Sequence, residues 1–296
     1  MKPAFSIVGC GRMGCTLAAA LAAAGYPPAG FFSRSPASAR MAVDAAGGGT
    51  AYISAVDACA GAGLVFLTPP DDVIESVCDA ITGGLGFPRG AIVLHCSGSQ
   101  PSSILASARR SGCSVGSLHP LKSIASRGGV EDPFRGAVFS VEGDPAAVSV
   151  GTRIAGDLNA TAIPIRTEDK VLYHAAAVVA SNYLVTLLDQ AYRLLETVGL
   201  PPRETVRALS PLIRGTLTNV EHTGAELALT GPVARGDVET VRSHVTALAR
   251  QMPGTLPVYR ALGLCTVDLA VRSGKLPDKY AAALRSVLAE PAADRE

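Results

Sequence analysis

The sequence predicts an α/β domain with a doubly wound sheet of about eight strands, followed by an all-helical domain. Two observations lead to this fold class. In the first half, short apolar runs alternate with helical patterns, and runs such as residues 63–67 are apolar throughout, as in parallel strands covered on both faces. From Thr167 onward only helical patterns remain. The predicted domains are therefore residues 1–166 and 167–290, with a tail over residues 291–296.

The first apolar run leads directly into a turn whose glycines have the spacing G-x-G-x-x-G. Gly9 permits a tight turn, Gly11 permits close approach of a pyrophosphate, and Gly14 permits close packing of the next helix. The first amides of that helix then face the phosphates. The turn predicts a dinucleotide site made of Gly9, Cys10, Gly11, Arg12, Met13 and Gly14. The alternative is a glycine-rich turn that binds no ligand.

The end of the second predicted strand favours NADP over NAD as the cofactor. An acid at this position binds the ribose 2′-hydroxyl of NAD, whereas a small polar residue followed by Arg accommodates the 2′-phosphate of NADP. This chain has Ser33, Arg34 and Ser35 and no acid. The alternative is that Arg34 is a solvated loop residue. Thr68 and Pro69 follow the apolar strand 63–67 and are also predicted cofactor neighbours, because ligands bind beyond the carboxyl ends of parallel strands.

Polar side chains follow the next two predicted strands, residues 91–94 and 114–118. Ser97 comes after the first of these strands and His119 directly after the second, so the sheet brings both to one edge. A histidine can exchange a proton near neutral pH, and a serine can hydrogen-bond a substrate carbonyl or hydroxyl. His119 is therefore predicted to be catalytic or to contact substrate. The alternative is that it only satisfies a backbone group.

A helix of about 31 residues is predicted to begin at Thr167 as its N-cap. At 100° per residue one stripe of this helix contains Lys170, His174, Ala177 and Ser181, with Asn182 at its edge. Polar groups around a small residue on an apolar helix indicate a ligand-facing surface. The alternative is that Lys170 is a solvated charge and His174 an interhelical hydrogen-bonding residue.

The remaining sequence is predicted to be helical, with a bend or break near Pro211. Asp237 is predicted to cap one of the later helices. This leaves Arg235 on the preceding turn, where it can bind an anionic substrate or close over the cofactor.

Composition excludes several functional classes. The 296 residues are 48% hydrophobic and 17% charged, with a net charge of +1, which argues against nucleic-acid and anionic membrane surfaces. The seven cysteines form no C-x-x-C pair, so reduced thiols in a cytoplasmic protein are expected and no metal site is predicted. No uninterrupted apolar run is long enough to span a bilayer, so a soluble protein is expected.

Several short motifs together resemble one bacterial family. They are His95-Cys-Ser-Gly, Ser117-Leu-His-Pro-Leu, Lys170-x-x-Tyr-His-x-Ala, Ser181-Asn182 and Leu229-Thr-Gly-Pro-x-x-Arg-Gly-Asp. The family consists of Rossmann-like proposed oxidoreductases whose C-terminal helical half is a domain of unknown function. It is similar to pyrroline-5-carboxylate reductases, deazaflavin-dependent NADP reductases, prephenate dehydrogenases, and 6-phosphogluconate and β-hydroxyacid dehydrogenases. The resemblance implies a helical domain like the C-terminal domain of 6-phosphogluconate dehydrogenase, and a homodimer built on it.

The resemblance also implies roles for individual residues. Ser97 and His119 match the Ser and His that lie beside the nicotinamide in prephenate dehydrogenases. Lys170 matches the acid/base Lys of the β-hydroxyacid and ketopantoate enzymes, and His174 stands where those enzymes have an Asn.

These observations predict an NADP-dependent oxidoreductase acting on a small anionic metabolite held between the domains. Lys170 or His119 would move the proton, Ser97, His174 and Asn182 would orient the substrate, and Arg235 would pair with its carboxylate. The alternative is a protein that binds NADP(H) as a sensor or scaffold without turnover.

Overall fold

The computed structural model describes residues 1–124 and 132–289. The chain divides into two compact units, Met1–Asn182 and Tyr183–Glu296. The predicted boundary at residue 166 falls earlier than this division. The difference has a physical reason: the start of the long helix packs on the sheet, where Lys170 is buried. The predicted tail over residues 291–296 lies outside the described residues.

The first unit contains one eight-stranded sheet with the order β3-β2-β1-β4-β5-β6-β7-β8, which confirms the predicted fold class. The strands are β1 Phe5–Val8, β2 Pro28–Phe32, β3 Thr50–Ala51, β4 Leu64–Leu67, β5 Ile92–His95, β6 Ser114–Pro120, β7 Val138–Gly143 and β8 Thr161–Pro164. Neighbouring strands are parallel except β6 and β7, which are antiparallel.

Helices cover both faces of this sheet, as the uniformly apolar strands predict. They are α1 Arg12–Ala23, α2 Pro36–Ala46, α3 Ala55–Cys59, α4 Ile74–Gly83, α5 Ala106–Arg110 and α6 Pro145–Asp157. Successive residues of β4 belong to different apolar clusters, because side chains alternate across a strand. Phe66 packs in the cluster on one face and Val65 in the cluster on the other.

Strand β6 is longer than the sequence predicts. His119 was expected just beyond the strand, but it lies within β6 and is paired with Ser140 of β7. The antiparallel partner extends the hydrogen-bonded ladder past the point where the parallel pairing of β5 and β6 ends.

The long helix is present but is not uniform. It begins with a 3₁₀ turn at Thr167–Asp169, continues as α7 (Lys170–Val178), widens into π-helix over Val179–Tyr183, and ends as α8 (Leu184–Thr197). The predicted N-cap is wrong, because the Thr167 hydroxyl donates instead to the Glu142 carboxylate at 3.0 Å. The π-helix adds a residue to the turn and so shifts the predicted side-chain stripe after Val178.

The second unit is helical in its described residues. After α8 it contains α9 (Pro202–Ala228), α10 (Val238–Gln251), α11 (Leu256–Arg272) and α12 (Asp278–Ala289). The chain leaves helical geometry at Gly224, with φ of 78°, and not at Pro211 as predicted. Asp237 caps α10 as predicted, because its carboxylate accepts from the Thr240 backbone N–H.

One helical stretch, Thr167–Thr197, is long and apolar enough to cross a membrane by length and composition, which the sequence analysis did not anticipate. One such helix is weak evidence by length and composition alone, and no residue of its most apolar 18-residue stretch is buried inside the described structure. The first part of the helix does pack on protein, because Lys170 is buried and donates hydrogen bonds to Ser97 and Ser117. Solubility and a cytoplasmic location therefore stay predictions.

Candidate functional site

The glycine turn has the geometry that a phosphate site needs. Gly9 has φ of 105°, and a Cβ there would lie 2.5 Å from the backbone nitrogen of Pro69. A Cβ at Gly14 would overlap the Gly9 carbonyl, whereas one at Gly11 would meet nothing within 4 Å. The Thr68 hydroxyl donates to the Gly9 carbonyl at 2.7 Å. Gly9 and Gly14 are thus required by packing, and Gly11 faces open space at the start of α1.

The other predicted cofactor residues differ in how far they are buried and in which contacts they make. Cys10 is buried, its Sγ donates to the Phe32 carbonyl at 3.4 Å, and burial raises its pKa to about 12, so it supports the turn as a thiol. Arg34 follows β2 and is exposed, and it makes no hydrogen bond or ion pair with the described residues. Its guanidinium is therefore available to an anion. Arg12 and Ser35 are exposed, and Met13 and Ser33 half-buried.

Two cavities lie along the carboxyl edge of the sheet. The turn cavity, of about 250 Å³, has a wall formed by Met13, Leu67, Thr68, Pro69, Asp71, Cys96, Ser97 and Gly98. The helix cavity, of about 600 Å³, has a wall formed by Leu121, Ser123, Tyr173, Ala176, Ala177, Val178, Ala180, Ser181 and Asn182. Both cavities are also lined by His119, Pro120, Lys122 and His174. The two imidazoles therefore stand where the cavities meet.

His119 is held by a tyrosine that is not among the predicted site residues. Its Nδ1 lies 3.0 Å from the Tyr173 hydroxyl. When that hydroxyl donates to Nδ1, the ring proton is on Nε2. Burial, with the charges of Lys170 and His174, lowers the pKa of His119 to about 4, so the free protein holds a neutral imidazole at pH 7.

Gly98 packs directly against both imidazoles. A Cβ at this position would lie 2.5 Å from His174 Nδ1 and 3.0 Å from His119 Nε2. The Nε2 edge of His119 therefore faces the Gly98 wall of the turn cavity. His174 Nδ1 is buried and has no hydrogen-bond partner among the described residues. It is thus an unpartnered polar atom on a side chain that lines both cavities.

Lys170 lies beneath the cavities rather than on their walls. Its side chain is 1% exposed, and Nζ donates to the Ser117 hydroxyl at 2.6 Å and the Ser97 carbonyl at 3.1 Å. Burial lowers its pKa to about 8. The pKa has thus moved towards the range that acid/base catalysis needs, but the ammonium group is already occupied by two protein acceptors. Direct proton transfer by Lys170 stays a prediction.

The Ser97 side chain is also engaged within the protein. Its hydroxyl donates to the Asp71 carboxylate at 2.6 Å and accepts from the backbone N–H of Gln100 at 3.0 Å. Asp71 also accepts from the Ser99 hydroxyl at 3.1 Å. Ser97 therefore orders the loop after β5, and Asp71 brings a carboxylate to the turn cavity. Asp71 is not among the site residues that the sequence predicts.

The remaining predicted substrate residues are divided between the units. Ser181 and Asn182 line the helix cavity within the π-helical turn, a feature that is frequent at functional sites. Arg235 belongs to the second unit, where it is exposed on the turn before α10. Its predicted role in substrate binding stays a prediction.

Family models match most of the chain. Residues 2–120 match the model of a Rossmann-like domain, and residues 137–266 match a domain of unknown function, DUF2520. No curated protein matches the chain.

Solved structures resemble the chain over nearly its whole length. Protein TM1727 from Thermotoga maritima is 27% identical, with a TM-score of 0.71 and coverage of 91% of this chain and 99% of that one. BF3122 from Bacteroides fragilis, a proposed NADP oxidoreductase, is 22% identical, with a TM-score of 0.75 and coverage of 92% and 99%. A reductive aminase from Aspergillus terreus, solved with NADPH and ethyl levulinate, is 17% identical, with a TM-score of 0.68 and coverage of 97% and 99%. The last two likenesses concern the fold.

Proposed function

We propose that this chain, which combines a Rossmann-like domain with a DUF2520 domain, is an NADP-dependent oxidoreductase that acts on a small anionic metabolite. One observation carries the proposal: the cavity beside the glycine turn and the larger helix cavity meet at His119 and His174. A cofactor in one cavity and a substrate in the other would come together at two titratable groups.

The residues of the turn fit NADP. Gly11 leaves open space before α1, whose first amides would hold the pyrophosphate, and Arg34 would pair with the 2′-phosphate. When bound, NADP would supply or accept the hydride. Structural neighbours described with NADP or NADPH, such as the Aspergillus terreus aminase, support this choice.

The helix cavity suits an anion. Lys122, His119 and His174 lie on its wall together with polar groups of Ser181 and Asn182, and its lining in the described chain contains no carboxylate. The buried Nδ1 of His174 would find its missing partner in such a ligand. Arg235 remains a proposed second partner for the anion, supported by its exposed side chain.

His119 would move the proton. A substrate carboxylate beside the two imidazoles would raise the depressed pKa of His119, so that a proton is taken up when the anion binds. During reduction His119 would give its Nε2 proton to the reacting oxygen or nitrogen and become neutral with its remaining proton on Nδ1, which can donate to the Tyr173 hydroxyl. Tyr173 would hold the ring orientation through Nδ1.

We further propose a cytoplasmic homodimer formed through the helical unit. That unit carries an apolar groove of about 450 Å³, lined in part by Leu184, Leu188, Leu212 and Val258. An exposed apolar groove of this kind is typical of an interaction surface.

Replacing Arg34 by Ala tests the cofactor. Titration is expected to show that the variant loses about 1–3 kcal/mol of NADPH affinity, because a charged hydrogen bond to the 2′-phosphate is removed. NADH affinity should not change. Arg110→Ala, at an exposed arginine of α5, is the matched control and should affect neither cofactor. An equal loss for NADPH and NADH would exclude a 2′-phosphate contact.

Loss of NADPH absorbance in the presence of carboxylate-bearing ketones, imines and enals tests the reaction. Oxidation of NADPH by at least one of these compounds is expected. NADPH binding in titration without oxidation by any class would instead support a sensor or scaffold.

A further inference from the structure

Glu142 is a buried carboxylate that joins two segments near the site. It lies on β7 with 3% of its surface exposed. Its Oε1 accepts from the Ser102 backbone N–H at 2.6 Å, and its Oε2 accepts from the hydroxyls of Ser102 at 2.8 Å and Thr167 at 3.0 Å. The same carboxylate therefore holds the segment after β5 and the first turn of the long helix. Glu142 lines neither of the two cavities, so contact with a ligand there does not explain why its charge is buried.

The β6–β7 pair brings this carboxylate to the side of Lys170. Ser117 lies directly opposite Glu142 in the pair, and side chains of directly opposite residues point to the same face. The Lys170 ammonium donates to the Ser117 hydroxyl at 2.6 Å. No ion pair within 4 Å joins Lys170 and Glu142 in the described chain, so the two buried opposite charges lie on the same face of the pair without direct contact.

The other titratable groups facing Lys170 cannot replace this charge. They come from the segments packed around it and are Asp71, His95, Cys96 and His119. Burial lowers the pKa of His95 to about 3 and of His119 to about 4, and it raises the pKa of Cys96 to about 12. These three groups are therefore neutral at pH 7. Asp71 is exposed, so water screens its charge, whereas Glu142 acts from within the protein.

We propose that Glu142 is a positioning residue that keeps Lys170 charged and holds the start of α7, and with it Tyr173 and His174, against the cavities. A buried ammonium without a buried counter-charge would be driven towards its neutral form. The neutral lysine would have fewer protons to share between Ser117 and the Ser97 carbonyl. Any consequence of this positioning for turnover rests on the proposed function, but the effect of Glu142 on the charge of Lys170 does not.

The test is an NMR titration of Lys170 in the full chain, using lysine labelled with ¹³C at Cε and Lys170→Arg to assign the signal. In Glu142→Gln the pKa of Lys170 is expected to fall by about one unit. The glutamine keeps the shape and an acceptor for the Ser102 N–H, and its amide group faces two hydroxyls that can turn to accept. A Lys170 pKa equal to the wild-type value in a folded variant would overturn the proposal.

Two further variants test whether the effect comes from the buried charge of Glu142 or from another change in structure or charge. Glu168→Gln removes a carboxylate two residues from Lys170, but this carboxylate is exposed, so no shift is expected. A shift as large as that of Glu142→Gln would overturn the proposal. Glu142→Asp keeps the charge and should leave Lys170 near its wild-type pKa, which also provides a test if the glutamine variant does not fold. A fall of about one unit in the aspartate variant would contradict the proposal.

The failure of this proposal can be distinguished from failure of the proposed function. An unchanged Lys170 titration in a variant that still oxidises NADPH would refute only the role of Glu142. A wild-type protein that binds NADPH but oxidises none with any substrate class would refute only the enzymatic activity.

Discussion

Replacement of His119 by Gln is expected to lower turnover by about 10²- to 10⁴-fold, the range that a lost acid/base group produces. Glutamine can still donate a hydrogen bond into the cavities, but it cannot take up and release a proton near neutral pH. NADPH affinity should be nearly unchanged, because the glycine turn and Arg34 are left intact. Steady-state kinetics and NADPH titration measure the two effects separately.

The pH dependence of substrate affinity in the wild-type protein tests the role of His119 in a second way. The pKa of His119 is about 4 in the free protein, and an anionic substrate would raise it. Binding then takes up a proton, so affinity for the substrate should increase as the pH falls from 8 towards 5. The His119→Gln variant should show a weaker dependence. His222→Gln, at an exposed histidine of the second unit, is the control and should behave as the wild type.

A Gly98→Ala variant is expected to lose about 10²-fold in turnover through displacement of both imidazoles. The added methyl group would lie 2.5 Å from His174 Nδ1 and 3.0 Å from His119 Nε2, so the rings must move. The backbone at Gly98 is not in the left-handed region, so the effect comes from this contact. The same overpacking should cost about 1–3 kcal/mol of stability.

The kinetics and thermal unfolding of Gly98→Ala are compared with those of a control variant at another glycine. Gly61→Ala provides it, because a Cβ there meets nothing within 4 Å and the residue is exposed. It should retain both turnover and stability. If Gly98→Ala keeps wild-type turnover, catalysis does not need the two imidazoles in the positions seen here. The proposed role of His119 and His174 at the point where the cavities meet would then be wrong.

Much of the first unit could be predicted from local sequence. The strands and helices of the sheet domain follow from apolar patterns and from turn residues; helix α2, for example, begins at Pro36 and ends before Gly47. The spacing of Gly9, Gly11 and Gly14 also predicts the turn correctly, because Gly9 and Gly14 have no room for a side chain and Gly11 leaves open space at the start of α1. The ends of elements were less predictable. Strand β6 extends through His119 because β7 pairs with it, and that pairing is not encoded in β6 itself.

The chemistry of the site depended on contacts between distant parts of the chain. His119 meets Tyr173 across 54 residues, and Lys170 meets the Ser97 carbonyl across 73. A helical stripe correctly brings Lys170 and His174 near the sheet, but periodicity does not tell which side chain is buried below the cavity and which lines it. The Tyr173 in the Lys170-x-x-Tyr-His motif was visible, yet nothing local marked its hydroxyl as the partner of His119.

The sequence by itself thus determined the doubly wound sheet, the helical second half and the position of the glycine turn. These features depend on the spacing of apolar residues and on glycine conformation, which are properties of short segments of the chain. Only the tertiary structure decided that Lys170 is enclosed, that Ser97 is bound to Asp71, and that Glu142 lies opposite Ser117. These are matters of burial and of distance between segments far apart in the chain. Both quantities exist only once the sheet has formed and the long helix has packed on its edge.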